Sequence, residues 1–228
     1  MAIAPREPSE PAVASTGYSQ RFIQGYYRLL SVSYDLSLTA VYRGSRRTLA
    51  RMLDVQAGAH VLVIGCGTGA DFEWLHAAVG PEGSIVGVDF SPAMLNKARS
   101  RVERHGYRNV HLIEGDAGLI GAELLGDTMP AAGCFDAVVA SLALSVIPGW
   151  QAAFAGSWAL LAAGGRYGIL DGFGKRGIFR LMAPLLDLFA ASDIRRPTWA
   201  LLDDCATGVA RDESLFGYLH ATVGTKPA

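Results

Sequence analysis

Three glycines at alternate positions, Gly65, Gly67 and Gly69, follow an apolar run and precede a helical pattern. Glycine has no Cβ, so the backbone can turn sharply here and a ligand can approach it closely. A helix that opens after such a loop presents unpaired N–H groups and the positive end of its dipole. The segment predicts a ligand-binding turn between a strand and a helix. A tight turn that binds nothing is the alternative.

Two acidic residues stand at the ends of the next apolar runs. Asp89 lies 20 residues after Gly69, where a carboxylate can accept hydrogen bonds from both hydroxyls of a ribose. A helix-start acid is its alternative role. Asp116, followed by Ala117, ends the third run and can accept a hydrogen bond from an adenine amino group, or serve as a turn residue. The two acids and the glycine loop together favour a nucleoside ligand.

A fourth apolar run, residues 135–140, ends at Ser141, and its last residues are expected to form the floor beneath a bound nucleoside. Asp136, at the start of this run, is interpreted as structural. No histidine has a carboxylate or cysteine partner that is visible in the sequence. These residue types therefore indicate no general base, and the catalytic residues stay unassigned.

The elements that must position these residues alternate along the chain. Strand-like runs occupy residues 61–64, 84–88, 110–113, 135–140 and 167–170, and a late strand is predicted at 218–223. Helices are predicted over residues 70–79, 92–105, 151–161, 178–191 and 198–205. Ser91 as N-cap, Pro92 at the first position and Gly106 at the exit delimit the second of these. Apolar strands separated by helices predict a parallel sheet covered on both faces, with ligands at the carboxyl ends of the strands.

Composition limits the function further. The 228 residues are 50% hydrophobic and carry a net charge of -1, which fits one globular domain and disfavours a nucleic-acid binder that relies on a strong positive field. Cys66, Cys134 and Cys205 have no metal-ligand spacing, so reduced thiols, a cytoplasmic location and no bound metal are expected. Residues 1–17 have neither the basic start nor the apolar centre of a signal peptide and are predicted to be a mobile tail.

Five segments, VLVIGCGTGADF, VGVDFSPAML, EGDA, FDAVVASLALSVIP and LLAAGGRYGILDG, resemble the class I S-adenosylmethionine-dependent methyltransferases in order and spacing. Within that family, the similarity is greatest to the ubiquinone/menaquinone-type and phosphatidylethanolamine-type methyltransferases. The resemblance implies an α/β fold: a single Rossmann-like domain with a seven-stranded, mostly parallel sheet and an antiparallel last strand. It places a helical lid at residues 18–53 and the core at 54–228.

The resemblance also implies a distribution of contacts with S-adenosylmethionine. The amino-acid portion of the cofactor is expected near Gly65, Cys66, Gly67, Thr68 and Gly69, the ribose at Asp89, and the adenine between Phe90 and Asp116–Ala117. The chain departs from the family at Val63, where an acid usually helps to hold the ammonium group of the cofactor. That position implies weaker binding, compensation from elsewhere or an atypical use of the cofactor.

The flanks of the motifs suggest where an acceptor binds. Tyr26, Tyr27 and Tyr34 resemble a lid that closes over the cofactor, with ordinary helix packing as the alternative for each. The apolar segment at residues 178–189 is interpreted as a packed helix, and it can also line an acceptor pocket or touch a membrane surface. Arginines at positions 43, 47 and 51 share one helical face, which is expected to be solvated. A small-molecule or lipid-like acceptor is the prediction, with peripheral membrane contact left open.

Three other functions share parts of this pattern. A nicotinamide-dependent oxidoreductase shares the loop and the strand-end acid, but these glycines follow G-x-G-x-G rather than G-x-G-x-x-G. An RNA methyltransferase shares the whole fold. Three features argue against it: the near-neutral charge, the absence of an Asn/Asp-Pro-Pro-aromatic segment after the fourth strand, and the expected lack of an appended RNA-binding domain. The third alternative is a protein of this fold that binds the cofactor without transferring a methyl group.

Overall fold

A seven-stranded sheet forms the centre of the protein. The computed structural model describes residues 42–173 and 193–228. The strands are β1 (His60–Ile64), β2 (Ser84–Asp89), β3 (Val110–Glu114), β4 (Phe135–Ser141), β5 (Leu161–Gly172), β6 (Thr207–Ser214) and β7 (Leu219–Thr225). Their order across the sheet is β3-β2-β1-β4-β5-β7-β6. Strands β1 to β5 pair in parallel, and β7 is antiparallel to both of its neighbours, which confirms the predicted Rossmann-like architecture.

Helices cover both faces of the sheet. They are α1 (residues 42–53), α2 (Phe72–Val79), α3 (Pro92–His105), α4 (Ala122–Leu125), α5 (Trp150–Ala159) and α6 (Ala200–Cys205). The apolar side chains of α1, α2 and α3 share one hydrophobic core with Val61 and Val63 of β1. Those of α5 and α6 share a second core with Leu62 and Ile64. Alternate residues of the same strand thus enter opposite cores, which explains why β1 is apolar throughout.

Most of the predicted elements are present, and their ends shift by one or two residues, except that β5 begins at Leu161 rather than at residue 167. Helix α3 spans the predicted residues: Ser91 Oγ accepts a hydrogen bond from the Met94 N–H at 3.5 Å, and Gly106 ends the helix in the left-handed region with φ of 68°. Strand β6 was not predicted from the residue pattern. It forms one edge of the sheet, and its side chains are exposed or partly exposed at every position. An apolar alternation is therefore absent from its sequence.

Parts of the chain that the sequence singled out lie outside the described residues. They are the predicted tail (residues 1–17), most of the predicted lid (18–53) and the predicted helix at 178–191. Within the two described ranges, no helix has the length and apolar character that a bilayer crossing requires.

The turn after β4 brings a buried acid of β5 into a polar contact. Leu142 adopts a left-handed conformation with φ of 54°, and its N–H donates to the Leu170 carbonyl at 2.6 Å. The chain then passes Ser145, whose N–H and hydroxyl donate to the two carboxyl oxygens of Asp171 at 3.2 and 2.7 Å. Burial raises the pKa of Asp171 to about 7, and the hydrogen bonds from Ser145 oppose that rise. Asp171 therefore holds a proton in the folded protein over a pH range in which an exposed aspartate does not.

The glycine loop supplies a first test of the fold. Gly69 and Gly164 have nearly the same φ, 74° and 75°, but a Cβ on Gly69 would lie 2.5 Å from the buried Phe72 ring, while one on Gly164 would meet nothing within 4 Å. We expect Gly164→Ala to cost about 1–2 kcal/mol for the left-handed conformation alone. Gly69→Ala should cost about 1–3 kcal/mol more because Phe72 must move. Urea unfolding measures both, and equal costs would show that Phe72 yields without strain.

Asp171 predicts a pH dependence of stability. Because its pKa is raised in the folded state, the native protein binds more protons than the unfolded chain between about pH 4 and pH 7. The stability contributed by the protonated form is full below pH 4 and is lost as the pH rises through 7, a change of about 4 kcal/mol. Asp171→Asn should remove this part of the slope. Unfolding free energies measured from pH 4 to pH 8 test it, and parallel curves for wild type and variant would contradict it.

Candidate functional site

The glycine loop forms an open cradle at the carboxyl end of β1. Gly65, Gly67 and Gly69 all adopt positive φ, at 60°, 54° and 74°. A Cβ on Gly65 would lie 2.8 Å from the Cβ of Ala143, so this glycine is required by the approach of the β4 loop. Gly67, in contrast, has nothing within 4 Å of a Cβ position. Neighbouring side chains thus pack closely against the loop at Gly65 and Gly69, whereas Gly67 leaves space in which a ligand can approach.

Asp89, at the carboxyl end of β2, joins this loop to the start of α3. Its Oδ2 accepts a hydrogen bond from the Gly67 N–H at 2.8 Å, and its Oδ1 accepts one from the Ser91 N–H at 2.9 Å. Burial raises the pKa of Asp89, and these two backbone hydrogen bonds oppose the rise. Each carboxylate oxygen has a second lone pair, so both can still accept a hydroxyl group. The structure therefore brings together the two features that the sequence paired.

The third predicted segment lies beside the second. The Gly115 N–H donates to the Asp89 carbonyl at 3.0 Å, which holds the end of β3 against the end of β2. Asp116 Oδ1 accepts from the Gly118 N–H at 2.8 Å and caps a short 3-10 helix, so the turn role is present. The Asp116 residue is exposed, Ala117 is buried, and Phe90 is partly exposed. The partly exposed Phe90 ring thus follows β2, and the exposed Asp116 carboxylate follows β3, at the same end of the sheet.

A buried polar cluster that the sequence did not predict lies at the end of β4. Arg46 of α1 forms an ion pair with Asp71 and donates to Ser141 Oγ at 2.9 Å. The Arg46 and Asp71 side chains are 12% and 9% exposed, and Arg46 Nε has no hydrogen-bond partner among the described residues. Burial raises the pKa of Asp71, and the Arg46 charge opposes that rise. We call Arg46, Asp71 and Ser141 the Arg46 cluster.

The Arg46 cluster bears on the departure at Val63. Val63 is 1% exposed and packs in the core on the α1 face of the sheet. A carboxylate is nevertheless present on this side, because Asp71 follows the glycine loop directly and faces Arg46 of α1. The sequence contained one indication of this carboxylate, which is the position of Asp71 two residues after Gly69. Its ionic partner was not evident, since Arg46 lies 25 positions away in the sequence.

A second unpredicted arrangement involves a histidine. His220 of β7 lies directly opposite Glu213 of β6 in the sheet, and its Nδ1 is 3.5 Å from Glu213 Oε1. Its ring stacks on Trp199 with centroids 4.5 Å apart and planes at 15°. The structure thus gives His220 a carboxylate partner that was not visible in the sequence. The pair could not be seen without β6, the strand that the residue pattern missed.

The predicted cofactor-binding residues all lie at or beside the carboxyl ends of β1 to β4. They are Gly65, Cys66, Gly67, Thr68, Gly69, Asp89, Phe90, Asp116, Ala117 and Ser141. Cys66 is buried beneath the loop and its N–H donates to the Val88 carbonyl at 3.0 Å. Tyr26, Tyr27 and Tyr34 lie outside the described residues. The three arginines at positions 43, 47 and 51 are exposed, as expected.

Comparison with known proteins identifies the family. A family described as "Methyltransferase domain" matches residues 61–165. The demethylmenaquinone methyltransferase of Listeria welshimeri is 30% identical over 164 residues, which cover 68% of this chain and 66% of that protein. The nocamycin O-methyltransferase of Saccharothrix syringae is 30% identical over 136 residues, which cover 60% of this chain and 46% of that protein. The chain spans 40% to 66% of the length of the first curated relatives that it matches.

Solved structures agree on the fold. The CurJ carbon methyltransferase superposes with a TM-score of 0.67 at 16% identity, over 89% of this chain and 61% of that one. The glycine cradle, the strand-end acids and the strand order are found here in a chain whose relatives are methyltransferases. The chain matches the class I S-adenosylmethionine-dependent methyltransferases in its domain family, motifs and fold, and S-adenosylmethionine is the cofactor of that family.

Proposed function

We propose that this protein transfers a methyl group from S-adenosylmethionine to a small-molecule or lipid-like acceptor. The observation that carries the proposal is the Asp89 carboxylate, which pins the open glycine loop at Gly67 and keeps a lone pair on each oxygen for a ribose. When bound, S-adenosylmethionine supplies a methyl group activated by its positive sulfur. The task of the protein is then to position an acceptor in line with that methyl group.

The described residues fit the nucleoside end of this cofactor. Asp89 accepts the ribose hydroxyls, and Phe90 and Ala117 flank the adenine. Asp116 is exposed at the same edge and accepts the adenine amino group through the oxygen lone pairs that Gly118 leaves free. The whole of the loop 65–69 receives the amino-acid portion, and Ser141 lies below it at the end of β4.

We propose that the Arg46 cluster replaces the acid that is missing at Val63. The amino-acid portion of the cofactor carries both an ammonium and a carboxylate group. Asp71 offers a negative charge to the ammonium group, and the guanidinium of Arg46 offers donors to the carboxylate. Arg46 Nε, which has no partner within residues 42–173 and 193–228, supports this assignment, because a buried donor without a partner costs about 1–3 kcal/mol unless a ligand or water satisfies it. Cofactor binding thus stabilises a cluster that is incomplete without it.

The acceptor class is proposed from the relatives and from the chemistry of the site. The Listeria relative is named for demethylmenaquinone and the Saccharothrix relative for nocamycin, so both names refer to small organic acceptors. In this chain, aromatic rings of Phe173 and Trp199 pack at the carboxyl end of β5 and beside it, with centroids 4.4 Å apart. Apolar rings of this kind suit a hydrophobic acceptor. We further propose a cytoplasmic enzyme that does not bind nucleic acid and that can meet a lipid-like acceptor at a membrane surface.

Replacement of Asp89 tests the cofactor site. Asp89→Ala should weaken S-adenosylhomocysteine binding by about 1.5–3 kcal/mol, because the ribose loses hydrogen bonds to a charged acceptor. Titration calorimetry measures the affinity, with NAD as a second ligand that should not bind comparably. Asp136→Ala is the matched control, since Asp136 accepts a hydrogen bond from the His60 N–H at the amino ends of β1 and β4, away from the glycine loop. Tight NAD binding without S-adenosylhomocysteine binding would refute the proposal.

Transfer of a labelled methyl group tests the acceptor class. The wild-type protein should place label from S-adenosylmethionine in lipid extracts or small-molecule pools rather than in total RNA, because the net charge of -1 gives a polyanion little attraction. Asp89→Ala serves as the low-activity control in each reaction. Label found mainly in RNA would overturn the acceptor class while leaving the cofactor assignment intact. No transfer to any pool, with S-adenosylhomocysteine still bound, would favour a protein that does not transfer methyl groups.

A further inference from the structure

We propose that His220 accepts the proton of an acceptor hydroxyl group during methyl transfer, and that Glu213 orients it. The acceptor is accordingly an aromatic or enolic hydroxyl compound. This inference rests on the proposed function and deepens it, since it assigns the proton-accepting residue that the sequence motifs did not supply.

The two nitrogens of His220 have different surroundings. Nδ1 faces Glu213 Oε1 at 3.5 Å, and a carboxylate on this side favours the proton on Nδ1. Nε2 is then the nitrogen with the free lone pair. It is buried and has no hydrogen-bond partner among the described residues. A buried polar atom without a partner is a site that a ligand can satisfy.

Aromatic packing holds the imidazole in place. The Trp199 ring stacks on His220, and the Phe173 ring meets Trp199 edge-on at 4.4 Å and 79°. Phe173 also approaches His220 at 6.0 Å between centroids. The residue His220 is 9% exposed, so these rings and the strand leave its side chain little freedom. Trp199 and Phe173 thus give the imidazole an aromatic environment, and aromatic rings pack favourably against a flat, unsaturated acceptor.

His220 lies at the end of the sheet that the carboxyl ends of β1 to β5 form, where the cofactor is expected. His220 lies opposite Asp171, one residue before the end of β5, and Asp171 is held by the loop after β4. Strands β4, β5 and β7 are neighbours in the sheet, so β7 lies two strand spacings, about 9.5 Å, from β4. An acceptor bound above the ends of β4 and β5 can therefore meet the cofactor on one side and His220 on the other.

The charged groups near His220 come from three elements. Glu213 of β6 faces Nδ1, and Asp171 of β5 is engaged by Ser145 through both of its oxygens. Arg196, in the segment before α6, donates to the Leu144 and Ile147 carbonyls at 3.3 and 2.7 Å. Neither Asp171 nor Arg196 is hydrogen-bonded to Nε2. Glu213 is thus the carboxylate that stabilises the imidazolium when Nε2 takes a proton.

The proton transfer balances with the methyl transfer. His220 Nε2 takes the hydroxyl proton as the oxygen, or a ring carbon conjugated with it, forms a bond to the methyl carbon. The bond from that carbon to sulfur breaks, its electron pair stays on sulfur, and S-adenosylhomocysteine results. After O-methylation the imidazolium releases its proton to water. Where a ring carbon is methylated instead, the imidazolium returns its proton to the oxygen while the C–H proton of that carbon passes to water, which restores the hydroxyl group.

The test uses the full-length protein, labelled S-adenosylmethionine and 1,4-naphthohydroquinone as the probe acceptor. His220→Asn should lower kcat at pH 7 by about 10²–10⁴-fold, the usual contribution of a general base. The S-adenosylhomocysteine affinity should stay within twofold of wild type. The deficit should shrink as the pH approaches the pKa of the probe hydroxyl, because a naphtholate needs no base. Glu213→Gln should lower kcat less than His220→Asn does and leave the S-adenosylhomocysteine affinity unchanged, since the amide can still orient the imidazole.

Thr222→Val is the matched control. Thr222 is a fully buried residue two positions along β7, and its Oγ1 also has no partner among the described residues, but it cannot accept a proton at neutral pH. It should keep the wild-type kcat and pH profile. A His220→Asn protein that retains wild-type kcat, or that shows the same deficit at every pH, would overturn the proposal. So would a wild-type protein that binds S-adenosylhomocysteine but does not methylate the probe. A wild-type protein that fails to bind S-adenosylhomocysteine would instead overturn the proposed function.

Discussion

The hydrogen bond from the Gly67 N–H to the Asp89 carboxylate is the contact on which the geometry of the site depends. It ties the loop after β1 to the end of β2, while Asp89 also accepts from Ser91 at the start of α3. A loop with three glycines at positive φ has little conformational preference of its own. The carboxylate therefore selects one loop conformation. Charge-assisted hydrogen bonds from backbone N–H groups offset part of the cost of burying this carboxylate, whose pKa stays raised.

Two further acids flank the end of β4, and their partners differ in kind. Asp71 is paired with the cation of Arg46, so its charge is neutralised within the protein. Asp171 is held by the hydroxyl and N–H of Ser145, which are neutral donors, and burial raises its pKa to about 7. The first acid belongs to a buried ion pair in which one donor, Arg46 Nε, has no partner among the described residues. The second is suited to fixing the loop after β4, whose left-handed turn at Leu142 leads the chain from β4 toward Ser145.

The fold was largely predictable because its signals are local. Apolar runs, the Ser91 cap and the exit at Gly106 each arise from neighbouring residues, and the structure confirms them. Strand β6 had no such signal, since none of its side chains is buried and no apolar face imposes an alternation. Its absence from the prediction had a consequence at the site. Without β6, Glu213 could not be placed opposite His220, and the histidine had no visible partner.

The sequence by itself determined the family, the order of the elements and the positions of the loop and of Asp89, because each follows from short spacings between strand ends and turn residues. The tertiary structure alone decided the Arg46 cluster, the contact of Ser145 with Asp171 and the pairing of His220 with Glu213. Arg46 and Asp71 are separated by 25 positions, and Ser145 and Asp171 by 26. The physical reason is that these pairs form only when helices and strands pack across the sheet. No period or spacing in the chain records which side chains such packing brings together.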